Sequence, residues 1–379
     1  MRLDRRVLFI LHYLSCFSRV WKIGTDYMKL LTLLLLGATC TLFAGCQNEP
    51  THDDTHPQNV PPQSSTVPEG RILNADSASN LAVPMGQSRH FTFTYAGALT
   101  DVQPGAKVSV WLPIATDTHE QAILNKQIDV PGEYEINREL RFGNHILYFQ
   151  ATADEHGEVP FKVSYELERR EHLPTLFEDF HKSQTELFIS ESRFVPTSAN
   201  LLDQLIDREE LDENSLRRGR QLYDAINTHM KYDKPEGGEW GRGDSKWACS
   251  SQHGNCTDFH SLFISICREQ NIPARFEIGF PISEQRGKGV VGGYHCWAKF
   301  VVDKQWIPVD ISEADKDPSK ADYYFGSLTE NRVTFTIGRD LELVPKQQAG
   351  PVNFLVYPYA EVDGKQHSFF CKGFEYSDL

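Results

Sequence analysis

The stretch Gly254-Asn255-Cys256-Thr257-Asp258-Phe259 decides how the chain is read. Glycine at 254 permits a sharp backbone turn ahead of a helix. From Cys256 onward the apolar residues Phe259, Leu262, Phe263, Ile266 and Cys267 recur at helical spacing, which predicts a helix that buries one face. Cys256 falls in its first turn, where free backbone N–H groups and the positive end of the helix dipole favour a thiolate. The same N–H groups can hold an oxyanion. Asn271-Ile272-Pro273 ends the helix, and residues 274–280 read as a strand.

Working outward, glycines at 287, 289, 292 and 293 mark a loop. Tyr294-His295-Cys296-Trp297-Ala298-Lys299-Phe300-Val301-Val302 then reads as a second strand with His295 at its start. After an Asp303-Lys304 turn, Gln305 to Val309 reads as a third strand, with Asp310 at its end. The start of one hairpin strand and the end of the next share one edge of a sheet. His295 and Asp310 are therefore expected to be hydrogen-bonded neighbours. A helix packed beside that edge brings Cys256 to them and completes a nucleophile, a base and an orienting carboxylate.

Gly-x-Cys opening a helix, His-x-Trp starting a strand and Trp-x-Pro-x-Asp ending the next resemble the transglutaminase-like cysteine family. The resemblance spans residues 216–311, including Ile272-Pro273-Ala274-Arg275 and Tyr232. It implies an α+β, papain-like core: a helix carrying the Cys, packed on an antiparallel sheet. Carried onto this sequence, it implies Cys256 as nucleophile, His295 as base and Asp310 as orienting acid. The flanks are similar to bacterial exported members with an N-terminal β-domain. This chain departs from the family at Lys299, where relatives often carry an acid two positions after the Trp, and at Cys296, which could partner a disulfide.

Other residues compete for roles. His253 and His260 flank Cys256, but a histidine on a helix is more often solvated or hydrogen-bonded. Cys267, Trp297 and Trp306 read as core, and Trp240 or Trp247 could wall the cleft. Cys249, Cys256, His253 and His260 lack a Cys-x-x-Cys pair, which argues against zinc. Asp315, Asp317 and Asp322 lack the glycine and terminal glutamate of a calcium loop. The expectation is a site with no metal and no cofactor.

The rest of the 379-residue chain frames this core. Phe91 to Tyr95, Val108 to Val110 and Phe161 to Tyr165 alternate with period two, which predicts a β-sandwich domain over residues 73–171. The catalytic domain is expected over 172–379. Residues 173–230 read as helical, with Gly219, Leu222, Tyr223, Ile226 and Met230 on one face. Residues 333–337 alternate, and Asp363-Gly364 between two runs signals a hairpin.

Residues 47–70 are polar and proline-rich, so 46–72 reads as a flexible tether. Met28-Lys29, an apolar run and Phe43-Ala44-Gly45-Cys46 describe a secretory signal over 28–45, too short for a comfortable membrane span. Small residues directly before Cys46 resemble the bacterial lipoprotein signal, which implies lipidation of Cys46. Residues 1–27 fit poorly before a signal, so Met28 is the expected start. The protein is then expected in the cell envelope, held to a membrane by its lipid.

A formal net charge of −14 argues against a nucleic-acid partner. Of the eight cysteines, five follow Cys46, and an odd number in an oxidising compartment leaves a free thiol. The expected partner is a peptide or protein substrate. Three activities remain open: a peptidase or amidase, a cross-linking transglutaminase, and a non-enzymatic binding scaffold.

Overall fold

The computed structural model describes residues 86–379 apart from residue 237. The expected start at Met28, the expected signal, Cys46 and the expected tether lie outside the described residues. No helix among those described is long and apolar enough to cross a membrane.

The first part of the chain is all strand: β1 (Ser88–Leu99), β2 (Lys107–Ile114), β3 (Gln121–Asp129), β4 (Tyr134–Arg138), β5 (His145–Thr152) and β6 (Val159–Arg170). Then come α1 (Thr185–Ile189), α2 (Ser215–His229), β7 (Lys231–Tyr232), α3 (Ser245–Ser251), β8 (His253–Gly254) and α4 (Cys256–Glu269). The chain continues through β9 (Ala274–Pro281), β10 (Lys288–Val290), β11 (His295–Val302), β12 (Gln305–Val309), α5 (Ile311–Lys316) and β13 (Arg332–Ile337). It closes with β14 (Tyr359–Val362), β15 (Lys365–His367) and β16 (Phe370–Asp378). The class is α+β, with all larger sheets antiparallel.

Two five-stranded sheets, in the orders β10-β16-β1-β6-β3 and β15-β14-β2-β5-β4, form the β layers. A four-stranded sheet, β12-β11-β9-β13, belongs to the core that carries the site. The period-two pattern has its expected consequence in β1, where Phe91, Phe93 and Tyr95 are fully buried. The rings of Phe93 and Tyr95 meet those of Phe280 and Phe335 from the four-stranded sheet at 5.4–5.9 Å. One apolar core therefore runs beneath both.

The last strands return to the first sheets. β16 pairs with β1 from Phe91↔Asp378 to Leu99↔Phe370, and β14 pairs with β2. The change from strands to mixed structure after Arg170 is thus a change of element type within one compact unit.

Two local readings need correction. Residues 173–230 are helical only in α1, α2 and short 3₁₀ turns. Asp207 accepts from the Glu209 N–H and Asp212 from the Asn214 N–H, so these side chains close turns in competition with helix. Within α2 the predicted face is correct: Gly219, Leu222, Tyr223 and Ile226 are buried. The second correction concerns α4, which buries every residue from Cys256 to Arg268 rather than one face. It packs on β11 and β9 on one side and against α2, α3 and α5 on others. Its polar residues are therefore interior groups that need partners.

Candidate active site

The start of α4 is fixed by a capping box. The Asn255 side chain accepts from the Thr257 N–H at 2.9 Å, and Asp258 accepts from the Asn255 N–H at 2.9 Å. Asp258 also accepts from the N–H groups of Gly241 (2.6 Å) and Gly243 (2.8 Å). One buried carboxylate thus ties the Trp240 loop to the first turn. Gly241 and Gly243 both have positive φ, at 72° and 62°. This conformation suits glycine and lets two nearby amides face one carboxylate.

The β11–β12 hairpin supplies the other two groups. Its tight turn has Asp303 and Lys304 at φ 47° and 66°. His295 opens β11, and Asp310 follows β12 as the N-cap of α5, accepting from the Glu313 N–H. His295 Nε2 lies 2.7 Å from Asp310 Oδ2. That leaves Nδ1 as the nitrogen available to Cys256. The Arg332 guanidinium donates to the same carboxylate at 3.2 Å, and the Ser312 hydroxyl donates to Oδ1 at 3.1 Å. Asp310 is fully buried, so these partners replace water around its charge.

Electrostatics set the protonation states. Burial opposes ionisation of Cys256, but the Cys296 thiol and then His295 overcome it and lower the thiol to about 6. Burial likewise opposes charge on His295, yet Asp310 and Cys256 raise it to about 10. Burial pushes the Asp310 carboxyl up, but His295 and then Arg332 hold it well below the usual carboxylate range. With the thiol the stronger acid, the resting pair is thiolate and imidazolium.

His260 supports the site without joining it. Its Nε2 accepts from the Ile311 N–H at 3.1 Å, so Nδ1 carries the hydrogen and donates to the Cys256 carbonyl at 2.8 Å. Burial lowers its pKa to about 4, so it is neutral. It fastens the nucleophile's backbone to the residue after Asp310. Cys296 Sγ lies 3.6 Å from the same Nδ1. Cys249, Cys256, Cys267 and Cys296 are free thiols, which corrects the idea that Cys296 pairs in a disulfide. Burial pushes the Cys267 and Cys249 thiols up.

Lys299 also needs correction. It stands where relatives often carry an acid and its type suggests a surface position, yet it is fully buried and donates to Glu120 (2.5 Å) and Glu178 (2.6 Å). It shares the His295 face of β11 but lies four residues further along the strand, where these carboxylates enclose it. It joins β11 to the first β-layer through a network that includes His172 on Glu120 at 2.7 Å. The residues weighed as a zinc set have separate partners: Cys249 donates to Gln204, and His253 Nδ1 lies 2.8 Å from the Ser251 carbonyl.

Aromatic groups border the nucleophile. Tyr232 and Trp240 meet at 5.6 Å, Tyr294 and Tyr357 at 5.6 Å, and the Asn255 amide donates to the Tyr294 hydroxyl at 3.1 Å. Burial raises the hydroxyl pKa of Tyr232, Tyr294 and Tyr357, and the charge on Cys256 adds to each. The site residues that sequence reasoning missed are Arg332, Asp258 and Tyr294. Only Asp258 left a local signal, the Asn-x-x-Asp spacing of a capping box.

Residues 203–311 match the model of the transglutaminase-like superfamily. A Haemophilus influenzae protein of no assigned function is 36% identical over 155 residues, 32% of this chain and 42% of that relative, so the chain spans under half its length. A Cytophaga hutchinsonii structure, proposed to be a cysteine protease, shares 15% identity over 77% of this chain and 99% of its own, with a TM-score of 0.47. The periplasmic domain of TgpA from Pseudomonas aeruginosa shares 14% identity over 64% of this chain and 88% of its own, with a TM-score of 0.30. Through residues 203–311 the chain carries a domain of the transglutaminase-like superfamily.

Proposed function

We infer that the protein is a cysteine-dependent acyl transferase that attacks peptide or side-chain amides outside the cytoplasm and passes the acyl group chiefly to water. The observation that carries this reading is a thiol lowered to about 6 beside an imidazole raised to about 10 and held 2.7 Å from a buried carboxylate. A scaffold that only binds has no use for an ionised, buried thiolate.

The chemistry follows from the geometry. The Cys256 thiolate adds to the amide carbonyl carbon, and the carbonyl electrons move onto oxygen. The Cys256 N–H has no partner among the described residues and donates to that oxygen at the helix N-terminus. As the carbon–nitrogen bond breaks, His295 gives its Nδ1 proton to the leaving amine. A thioester and a neutral imidazole remain. His295 then takes a proton from water, the hydroxide adds to the thioester, and the thiolate leaves. Asp310 holds Nε2–H throughout, fixing the tautomer and stabilising each imidazolium.

Water as acceptor is the default. An amine must overcome water at about 55 M through proximity, worth at most about 7–11 kcal/mol in well-oriented systems. Lys316 stands near the nucleophile on Tyr232 and takes up the acid beside it, leaving that acid unable to draw in a lysine. Its neighbour Glu313 already pairs with it at 2.7 Å. The test is product analysis with a glutamine-containing peptide and a labelled primary amine. Deamidation plus cleavage should exceed amine incorporation at millimolar amine; the reverse makes the protein a cross-linking enzyme. Export and a lipid on Cys46 are part of this proposal and rest on Phe43-Ala44-Gly45-Cys46.

A further inference from the structure

Several buried cations meet a carboxylate directly. Arg89 meets Asp378, Lys299 meets Glu120, Arg275 meets Glu277 and Arg332 meets Asp310, all within 3.2 Å. Lys372 has no such partner among the described residues and is half-buried on β16. Its ammonium lies 4.5 Å from the centre of the Tyr357 ring, and burial lowers its pKa.

Tyr357 connects Lys372 to the reacting groups. Its hydroxyl accepts from the Tyr294 N–H at 3.3 Å, one residue before His295. The floor between them is glycine: a side chain at Gly292 would meet nothing, and one at Gly293 would come no closer than 3.5 Å to the Tyr357 hydroxyl. Tyr357 thus stands between Lys372 and the strand that begins with His295, and the two glycines beside it leave space free. Lys316 on Tyr232, which also feels the charge of Cys256, is by contrast paired with Glu313. On β16, Glu375 lies on the other face of the strand from Lys372 and Phe374, and only the latter two meet Tyr357. Among the described residues, Lys372 is thus a cation near the site with no carboxylate partner.

We propose that Lys372 is a specificity-determining residue that pairs with a carboxylate on the substrate, so that the preferred substrates are peptides with a carboxylate close to the reacting amide. The inference rests on the amide-acylation reading above. A partly desolvated ammonium without a counter-ion is costly, and a bound carboxylate removes that cost. The aromatic face of Tyr357 holds the ammonium in place while leaving its outer side open to an anion. A single ammonium is a point charge suited to one carboxylate; a phosphate group more often draws an arginine fork or several donors.

The carboxylate could be a chain terminus or an acidic side chain, and two sets of peptides separate these sources. One compares a free C-terminus with its carboxamide; the other compares Glu with Gln beside the reacting amide. Steady-state rates are measured for the full chain, Lys372→Met and Lys372→Arg. The parent should favour the carboxylate member of at least one set by about ten-fold in kcat/KM, the scale of one partly screened charge pair. Lys372→Met should bring that ratio to within about two-fold by raising KM alone, while rates on neutral peptides hold. Lys372→Arg should keep most of the preference. Equal rates within both sets in the parent, or a preference that survives in Lys372→Met, overturn the proposal. If no peptide acylates Cys256 at all, the amide-acylation reading falls and takes this one with it.

Discussion

Replacing Asp310 with Asn removes one charge and keeps the shape, so it isolates what the buried carboxylate does. In the parent the imidazole at about 10 and the thiol at about 6 differ by four units (10 − 6 = 4), and the thiolate–imidazolium pair dominates. Asp310 is the main influence that raises His295 against burial. Without it, His295 falls back to its ordinary value near 6.5 or below, and Cys256 loses its cationic neighbour and drifts toward about 8.5. The difference becomes about −2, so the ion pair drops to about one part in a hundred at neutral pH. An Asn amide donating to Nε2 also turns the ring to the wrong tautomer, a further loss. Turnover should fall by about 10³-fold or more, and the midpoint for alkylation of Cys256 should move from about 6 toward the ordinary thiol range. The sign is fixed: a depressed thiol pKa gives activity that rises as pH climbs through about 6, and removing Asp310 moves that limb upward. Arg332 loses its counter-charge, at a cost of about 3–5 kcal/mol for a broken buried pair. Rates are therefore measured at a temperature where circular dichroism shows the variant folded. An unchanged alkylation midpoint with turnover within ten-fold of the parent would refute the reasoning.

Other consequences are as direct. Cys296→Ala removes the largest influence that lowers Cys256, so the alkylation midpoint should rise by about one unit while His295 still supports turnover; no shift contradicts the assignment. Gly219→Ala should destabilise the fold by about 1–3 kcal/mol, although alanine normally favours helix, because the new methyl would sit 2.3 Å from the Phe300 ring. A raised melting temperature would contradict that packing. Metabolic labelling with a fatty-acid analogue should mark the parent and spare Cys46→Ala; equal labelling removes the lipid anchor.

The parts legible in the sequence were those with local causes. The helix spacing after Cys256, the Asp303-Lys304 turn and the alternation through β1, β2 and β6 each follow from neighbouring residues. The hairpin alone placed His295 beside Asp310. What escaped the sequence depends on distant chain segments. Arg332 reaches Asp310 from β13, and β16 finds β1 across more than 270 positions, pairings that no local pattern encodes. Lys299 misled because its residue type suggests solvent, while the carboxylates of Glu120 and Glu178, far away in sequence, hold it inside. Residues 173–214 misled because scattered apolar residues resemble a helical face, while Asp207 and Asp212 close turns instead.

The central claim is that Cys256 becomes acylated by an amide substrate. It is tested most directly by intact-protein and peptide mass spectrometry after rapid acid quench with a peptide library. The account predicts an acyl adduct on Cys256, lost in Cys256→Ala and absent or slow to form in His295→Ala. An adduct on Cys249, Cys267 or Cys296 instead, or an adduct that forms as fast in His295→Ala as in the parent, contradicts it.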